Sequence, residues 1–536
     1  MLLLGEILRR HAAYRGSKIA YVLAGARVTY REMNARANRL AHLLTAKGVR
    51  RGDRVAVLAP NMPLYPELYF AAAKIGAILV LVNTCFREIE IAYAVGQSEA
   101  SVFVFAAEFA GVAEGLRSRG STVECFLSLD GAPLDFAGYV PDLLPGASDA
   151  EPAAFVDEND PHVMLYTSGT TGNPKGVLSS HRSYVLSAAQ SQNGLRLGEE
   201  DVGLSMFPMF HMGGWALPLG LWFSGATAVI LPKAEPEEIL RSIERERVTY
   251  FYGIPTVFQW MIPHSKRFDV SSLRMVASGT SAMSEEQVRS IRESFPAEAM
   301  VIIYGSTEAG PVAMLRPPDV LRKPTSVGRP VVNVDVEVVD ARGTAVADGE
   351  AGEILCRSDF LMLGYWKMPE ATAEALRDGW YHTGDLAVRD EEGFLHIAGR
   401  VKEMIKTGGE NVFPAEVEAA LLDHPGVREA AVFGVPDAEW GESVVAAIVP
   451  RNAGAVNEND LVDHVKAKIA SYKKPRHVFF IDELPRTAAT GRVQKSVLRD
   501  AFVARFASPL GERWEENTPS PDSPLPLGRG GRRSLR

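Results

Sequence analysis

The run Tyr166-Thr167-Ser168-Gly169-Thr170-Thr171-Gly172-Asn173-Pro174-Lys175-Gly176 packs four aliphatic hydroxyls, three glycines and one lysine into one short stretch. Glycines let backbone N–H groups turn toward an anion, hydroxyls add donors, and a lysine brings mobile positive charge, so the chemistry is that of gripping a polyphosphate. A Walker loop needs Gly-Lys followed by Ser or Thr; here Lys175 stands between Pro174 and Gly176, which excludes that class. Taken alone, the composition would also suit a flexible linker.

Further segments follow in order: Phe207-Pro208-Met209-Phe210-His211, Ser278-Gly279-Thr280-Ser281-Ala282, Tyr304-Gly305-Ser306-Thr307-Glu308, Trp380-Tyr381-His382-Thr383-Gly384-Asp385, and the stretch from Gly399-Arg400 to Asn411. With the loop, these resemble the signatures of the adenylate-forming (AMP-binding) superfamily, which includes acyl-CoA synthetases, firefly luciferase and peptide-synthetase adenylation domains. The resemblance covers roughly residues 5 to 505.

The resemblance implies ATP, Mg²⁺ and coenzyme A as cofactors and co-substrates. It assigns Thr167, Ser168, Gly169, Thr170, Thr171, Gly172 and Lys175 to the phosphates, Glu308 to Mg²⁺ and Thr307 to the α-phosphate. A hard oxygen ligand suits Mg²⁺ at phosphate; Glu308 by itself would pass for a surface carboxylate. Gly279, Thr280, Tyr304, Gly305 and Ser306 fall in nucleotide-side segments, and Asp385 matches the aspartate that accepts from the ribose hydroxyls. Arg400 matches the arginine at the domain junction, Lys402 the pivot, and Gly408 and Gly409 the segment lining the pantetheine tunnel. His211, Tyr252, Pro311 and Val312 are expected at the acid, with His211 binding substrate rather than acting as a base; together with Phe210 they imply a hydrophobic acyl or aryl group.

One position departs from the pattern. Relatives place the adenylation lysine directly after the glycine of the C-terminal loop, where this chain has Gly491-Arg492. Arginine keeps the charge but replaces a compact ammonium by a wide planar fork. Arg492 is expected to serve; Lys495 as a substitute, or impaired adenylation, are the alternatives. The implied activity is an ATP-dependent acid–CoA ligase (acyl-CoA synthetase). The Val435-Pro436-Asp437-Ala438-Glu439-Trp440-Gly441-Glu442 run, common among CoA ligases of the superfamily, supports it. Loading of a carrier protein, or ATP binding without catalysis, are the competing readings.

Elements to position these groups can be read from periodicity. Helix-period and strand-like stretches alternate: Arg31 to Lys47 ending at Gly48, Arg54 to Leu58, Leu64 to Lys74, Ala77 to Val82, and Val163 to Leu165 before the loop. This predicts an α/β fold, with a large layered α/β N-terminal domain over 1–399. A hinge at 400–403 leads to a small mobile α+β C-terminal domain over 404–509, with strands at Ala430 to Val435 and Val444 to Val449 and helices starting near Pro414 and Asn459. The Pro-, Ser-, Gly- and Arg-rich stretch 510–536 reads as a disordered tail.

Bulk properties agree. The 536 residues exceed one comfortable core, and 46% apolar with 23% charged residues is a soluble globular balance. A net charge of −9 argues against a nucleic-acid partner. Cys85, Cys125 and Cys356 show no paired spacing, and neither a signal peptide nor an apolar run of spanning length is evident. A cytoplasmic enzyme without stable membrane insertion is expected; a homodimer is compatible with the sequence.

Overall fold

The computed structural model describes residues 2–167, 174–279, 283–408, 410–452, 456–487, 491 and 493–506. The 510–536 segment lies outside the described residues, as do Ser168, Gly169, Thr170, Thr171, Gly172, Thr280, Gly409 and Arg492.

Among the described residues the chain forms four sheets. In one eight-stranded sheet, Arg54–Leu58 runs parallel between Ile78–Leu81 and Val102–Phe105. Its Val55-Ala56-Val57-Leu58 is buried throughout, as an all-apolar run covered on both faces should be. Pro161–Thr167 continues this sheet and turns back antiparallel as Lys175–Ser180, so that Thr167 and Lys175 face each other across the mouth of the phosphate loop. The helix Tyr30–Ala46 is started by a Thr29/Glu32 capping box and buries Met33, Ala37, Leu40, Ala41 and Leu44, a stripe at helical spacing.

A nine-stranded sheet holds the second group of site segments. Val202–Ser205, Tyr250–Tyr252, Met275–Gly279 and Ala299–Ser306 run parallel at its centre, so their carboxyl ends open on the same edge. In parallel sheets that edge is where ligands bind. A wall of aromatic side chains fills the core beneath; Tyr69 stacks on Trp215 at 3.7 Å with planes 5° apart.

A third sheet carries Trp380–Arg389 antiparallel to Leu395–Arg400, pairing Asp385 with Arg400. The 3₁₀ turn Val401–Glu403 follows, and at Ile405–Thr407 the chain enters the last sheet, built chiefly on Val427–Asp437 and Gly441–Pro450. Helices Pro414–Leu422 and Glu458–Lys468 belong to this α+β unit, whose core includes Ile405, Val417, Leu421, Val432, Ala446, Leu461 and Val465. The large α/β and small α+β arrangement is therefore observed.

Candidate active site

Lys175 begins its strand, and its Nζ sits 4.8 Å from the ring centroid of Tyr365, a cation–π contact. The Tyr365 hydroxyl in turn donates to Glu308 Oε1 at 3.2 Å. Glu308 lies in the turn after the strand ending at Ser306, so the central parallel sheet delivers it to the same place. Burial raises the Glu308 pKa, opposed by hydrogen bonds, among them one from Tyr365, and by the charge of Arg400. Desolvation disfavours a carboxylate, and a nearby cation counters that in part.

Arg400 joins this group to the next. Its Nε stands 2.8 Å from Asp385 Oδ1, while the Tyr304 hydroxyl donates to Asp385 Oδ2 at 2.8 Å. Asp385 is itself buried, and its backbone N–H donates to Thr383 Oγ1. Lys175, Tyr365 and Glu308 thus form one chain of contacts and Arg400, Asp385 and Tyr304 a second, drawn from three sheets, with the charge of Arg400 acting on Glu308 between them.

Two of the residues expected at the acid, His211 and Tyr252, share the neighbour Phe207. Phe207 packs on Tyr252 (5.5 Å between centroids) and on His211 (6.3 Å). Tyr252 and Val312 are buried, and Pro311 is half-buried. A Cβ on Gly279 would collide with the Ile303 carbonyl oxygen and come within 2.5 Å of the Tyr252 hydroxyl, so glycine is required where two strands and a tyrosine converge. His211 Nδ1 accepts from the Gly213 N–H at 3.1 Å, capping the helix Met212–Phe223. Burial lowers its pKa to about 4, so the ring is neutral near pH 7 with its proton on Nε2. That leaves Nε2–H as a hydrogen-bond donor.

Gly305 and Ser306 end their strand; Gly305 faces Pro311, and the Ser306 hydroxyl accepts from the Ala309 N–H. Thr307 is half-buried next to Glu308. Lys402 is exposed in the Val401–Glu403 turn, two residues beyond Arg400. Gly408 adopts φ +60°, its N–H donates to the Trp440 carbonyl at 2.8 Å, and Arg476 lies 4.1 Å from the centre of the Trp440 ring. Lys495 is held by Glu418 at 2.7 Å and Glu403 at 3.4 Å, ion pairs that occupy its ammonium.

Two features were not anticipated from sequence. Tyr365, the link between Lys175 and Glu308, sits in a two-residue strand, too short for any periodic signal. Gly491, next to Arg492, comes against Ile254 and Thr256 of the large domain; a Cβ there would lie 3.0 Å from Ile254 Cδ1. No local pattern announces a contact between segments so distant in the chain.

A family model described as AMP-binding enzyme matches residues 8–366, and one described as AMP-binding enzyme C-terminal domain matches 416–490. The chain belongs to the AMP-binding enzyme family. Among relatives of this family, a long-chain-fatty-acid–CoA ligase of Mycobacterium tuberculosis is 35% identical over 94% of this chain and 99% of its own. A feruloyl-CoA synthase of Amycolatopsis is 37% identical over 89% of this chain and 94% of its own. Among solved AMP-binding enzymes, an anthranilate CoA ligase in complex with anthranoyl-AMP superimposes with a TM-score of 0.88 at 31% identity, covering 94% of this chain and 98% of that one. No helix among the described residues is long and apolar enough to cross a membrane.

Proposed function

We propose that this AMP-binding enzyme is an acid–CoA ligase that converts a hydrophobic fatty or aromatic carboxylic acid to its adenylate and then to its CoA thioester. The observation that carries the reading is the pair of contact chains Lys175–Tyr365–Glu308 and Arg400–Asp385–Tyr304, with Glu308 just beyond the carboxyl end of a parallel strand in the sheet that also carries Tyr252.

A carboxylate is a poor acyl donor, so its oxygen attacks the α-phosphorus of ATP, forming the acyl-adenylate and releasing pyrophosphate. Lys175 and Arg400 face the accumulating phosphate charge in a partly desolvated site, where fixed cations are most effective. Asp385 offers acceptors to the ribose hydroxyls, and the Nε2–H of His211 is available to orient the acid. Thr307 is assigned to the α-phosphate and Arg492 to adenylation. Gly279, Tyr304, Gly305 and Ser306 are assigned to the nucleotide, and Tyr252, Pro311 and Val312 to the acyl group.

Mg²⁺ fits the donor set. Among the described residues there is no cluster of three or more His, Cys, Asp or Glu side chains able to cage a metal. Glu308 supplies one hard oxygen ligand, and Mg²⁺ is commonly held by one or two carboxylates plus substrate phosphates. When bound there, the ion would neutralise phosphate charge.

The thiol of CoA then attacks the activated carbonyl and AMP departs. The proposed boundaries are a large domain over 1–399, a hinge at 400–403 containing Lys402, and a small domain over 404–509. They are supported by the change of sheet between Arg400 and Ile405. Rotation about such a hinge lets one pocket serve both steps while keeping water from the adenylate. Gly408 is assigned to the CoA arm, and the compartment is read as cytoplasmic.

Pyrophosphate release measured over short-, medium- and long-chain and aromatic acids, with and without CoA, tests the proposal. Acid-dependent release with CoA-dependent thioester formation is expected. Release without any CoA thioester would overturn the acceptor, and no acid-dependent release would overturn the enzyme reading.

A further inference from the structure

The Lys175 and Glu308 side chains come from segments of different sheets, and Met362–Trp366 hydrogen-bonds to the backbone of both segments. The Met362 N–H donates to the Glu308 carbonyl at 2.7 Å; the Leu363 and Trp366 N–H groups donate to the Leu178 and Gly176 carbonyls at 2.7 and 2.8 Å. Gly364 and Tyr365 pair with Leu178 and Val177, in the strand that Lys175 begins. The Tyr365 N–H also donates to Thr372 Oγ1 at 2.9 Å, fixing its backbone from the following helix. From this frame the ring faces Lys175 Nζ at 4.8 Å and the hydroxyl reaches Glu308 Oε1 at 3.2 Å.

We propose that Tyr365 is a positioning residue for adenylation: its ring face orients the Lys175 ammonium and its hydroxyl orients the Glu308 carboxylate, setting their separation. The proposal rests on the assignment of Glu308 to Mg²⁺. A phenol does both jobs because it has a negative face for a cation and a donor at its edge for a carboxylate. A tyrosine kept only for packing would use the ring alone, and that difference makes the two functions separable.

Tyr365→Phe keeps the ring and deletes the hydroxyl, whereas Tyr365→Leu deletes both. Each full-length variant is titrated calorimetrically with ATP alone and with ATP plus Mn²⁺, and the bound Mn²⁺ is followed by electron paramagnetic resonance. Tyr365→Phe is expected to bind metal-free ATP like the parent and to lose on the order of tenfold in affinity for the metal complex, as for other partners of metal-binding carboxylates. Tyr365→Leu is expected to weaken both. Parent-like metal–ATP affinity in Tyr365→Phe, or equal weakening with and without metal, overturns the proposal, and the Phe variant decides this even if the Leu variant fails to fold. A parent enzyme whose ATP affinity ignores Mn²⁺ would overturn the Glu308 assignment as well, so the two failures are told apart by which protein shows them.

Discussion

Replacing Gly408 by alanine should divide the two half-reactions. Gly408 stands at φ +60°, and an added Cβ would meet Trp440 at 2.8 Å from Cε3 and 3.1 Å from Cζ3. Holding an L-residue in the left-handed region costs about 1–2 kcal/mol. Pushing the Trp440 ring off Arg476, 4.1 Å away, forfeits a further ~0.5–1 kcal/mol for an exposed cation–π contact. The sum, about 2 kcal/mol, corresponds to roughly thirtyfold in a rate if the loop must hold this shape in the transition state. Because the loop is assigned to the CoA arm, that loss should fall on the thiol step. Acyl-adenylate formation is measured as pyrophosphate release without CoA, and thioester formation as a single turnover of supplied acyl-adenylate with CoA. Equal loss in both assays, or loss confined to adenylation, would refute the reasoning.

Arg492→Ala should depress adenylate formation far more than thioester formation from supplied acyl-adenylate, read in the same pair of assays; equal losses would contradict the assignment. Asp385→Ala removes the acceptor shared by Tyr304 and Arg400, and steady-state kinetics should show the KM for ATP rising about tenfold or more, the worth of hydrogen bonds to a charged group. Burial lowers the pKa of both His181 and His211 to about 4, against 6.5 for a free imidazole. The fold keeps them neutral while the unfolded chain takes up protons. Their stabilising effect is therefore complete above pH 6.5 and lost as pH falls toward 4, by about 2 kcal/mol for each near pH 5. Urea unfolding near neutrality and near pH 5 checks this, and unchanged or greater stability at the acid end counts against it.

Much of the scaffold was legible because its signals are local. The Arg54–Leu58 strand is an unbroken apolar run, the Tyr30–Ala46 helix shows both cap and stripe, and the Ala430 to Val435 and Val444 to Val449 stretches sit inside the observed strands Val427–Asp437 and Gly441–Pro450. The polar residues Lys175, Glu308, Asp385 and Arg400 were found through resemblance of ordered motifs, and they come together in space. What sequence could not supply is the connection between them. Tyr365 acts through a backbone clamp reaching two separate sheets, and the approach of Gly491 to Ile254 is a tertiary contact with no periodicity behind it.

The crowding around Gly279 carries a practical lesson for altering which acids are accepted. Because the neighbouring strand's Ile303 oxygen already fills the space a side chain would need, mutagenesis there would pry the sheet apart. On the proposed assignment of Tyr252 to the acyl group, libraries aimed at new substrates should leave Gly279 fixed and vary Tyr252 and its neighbour Phe207, keeping His211, whose ring accepts from the Gly213 N–H and caps a helix.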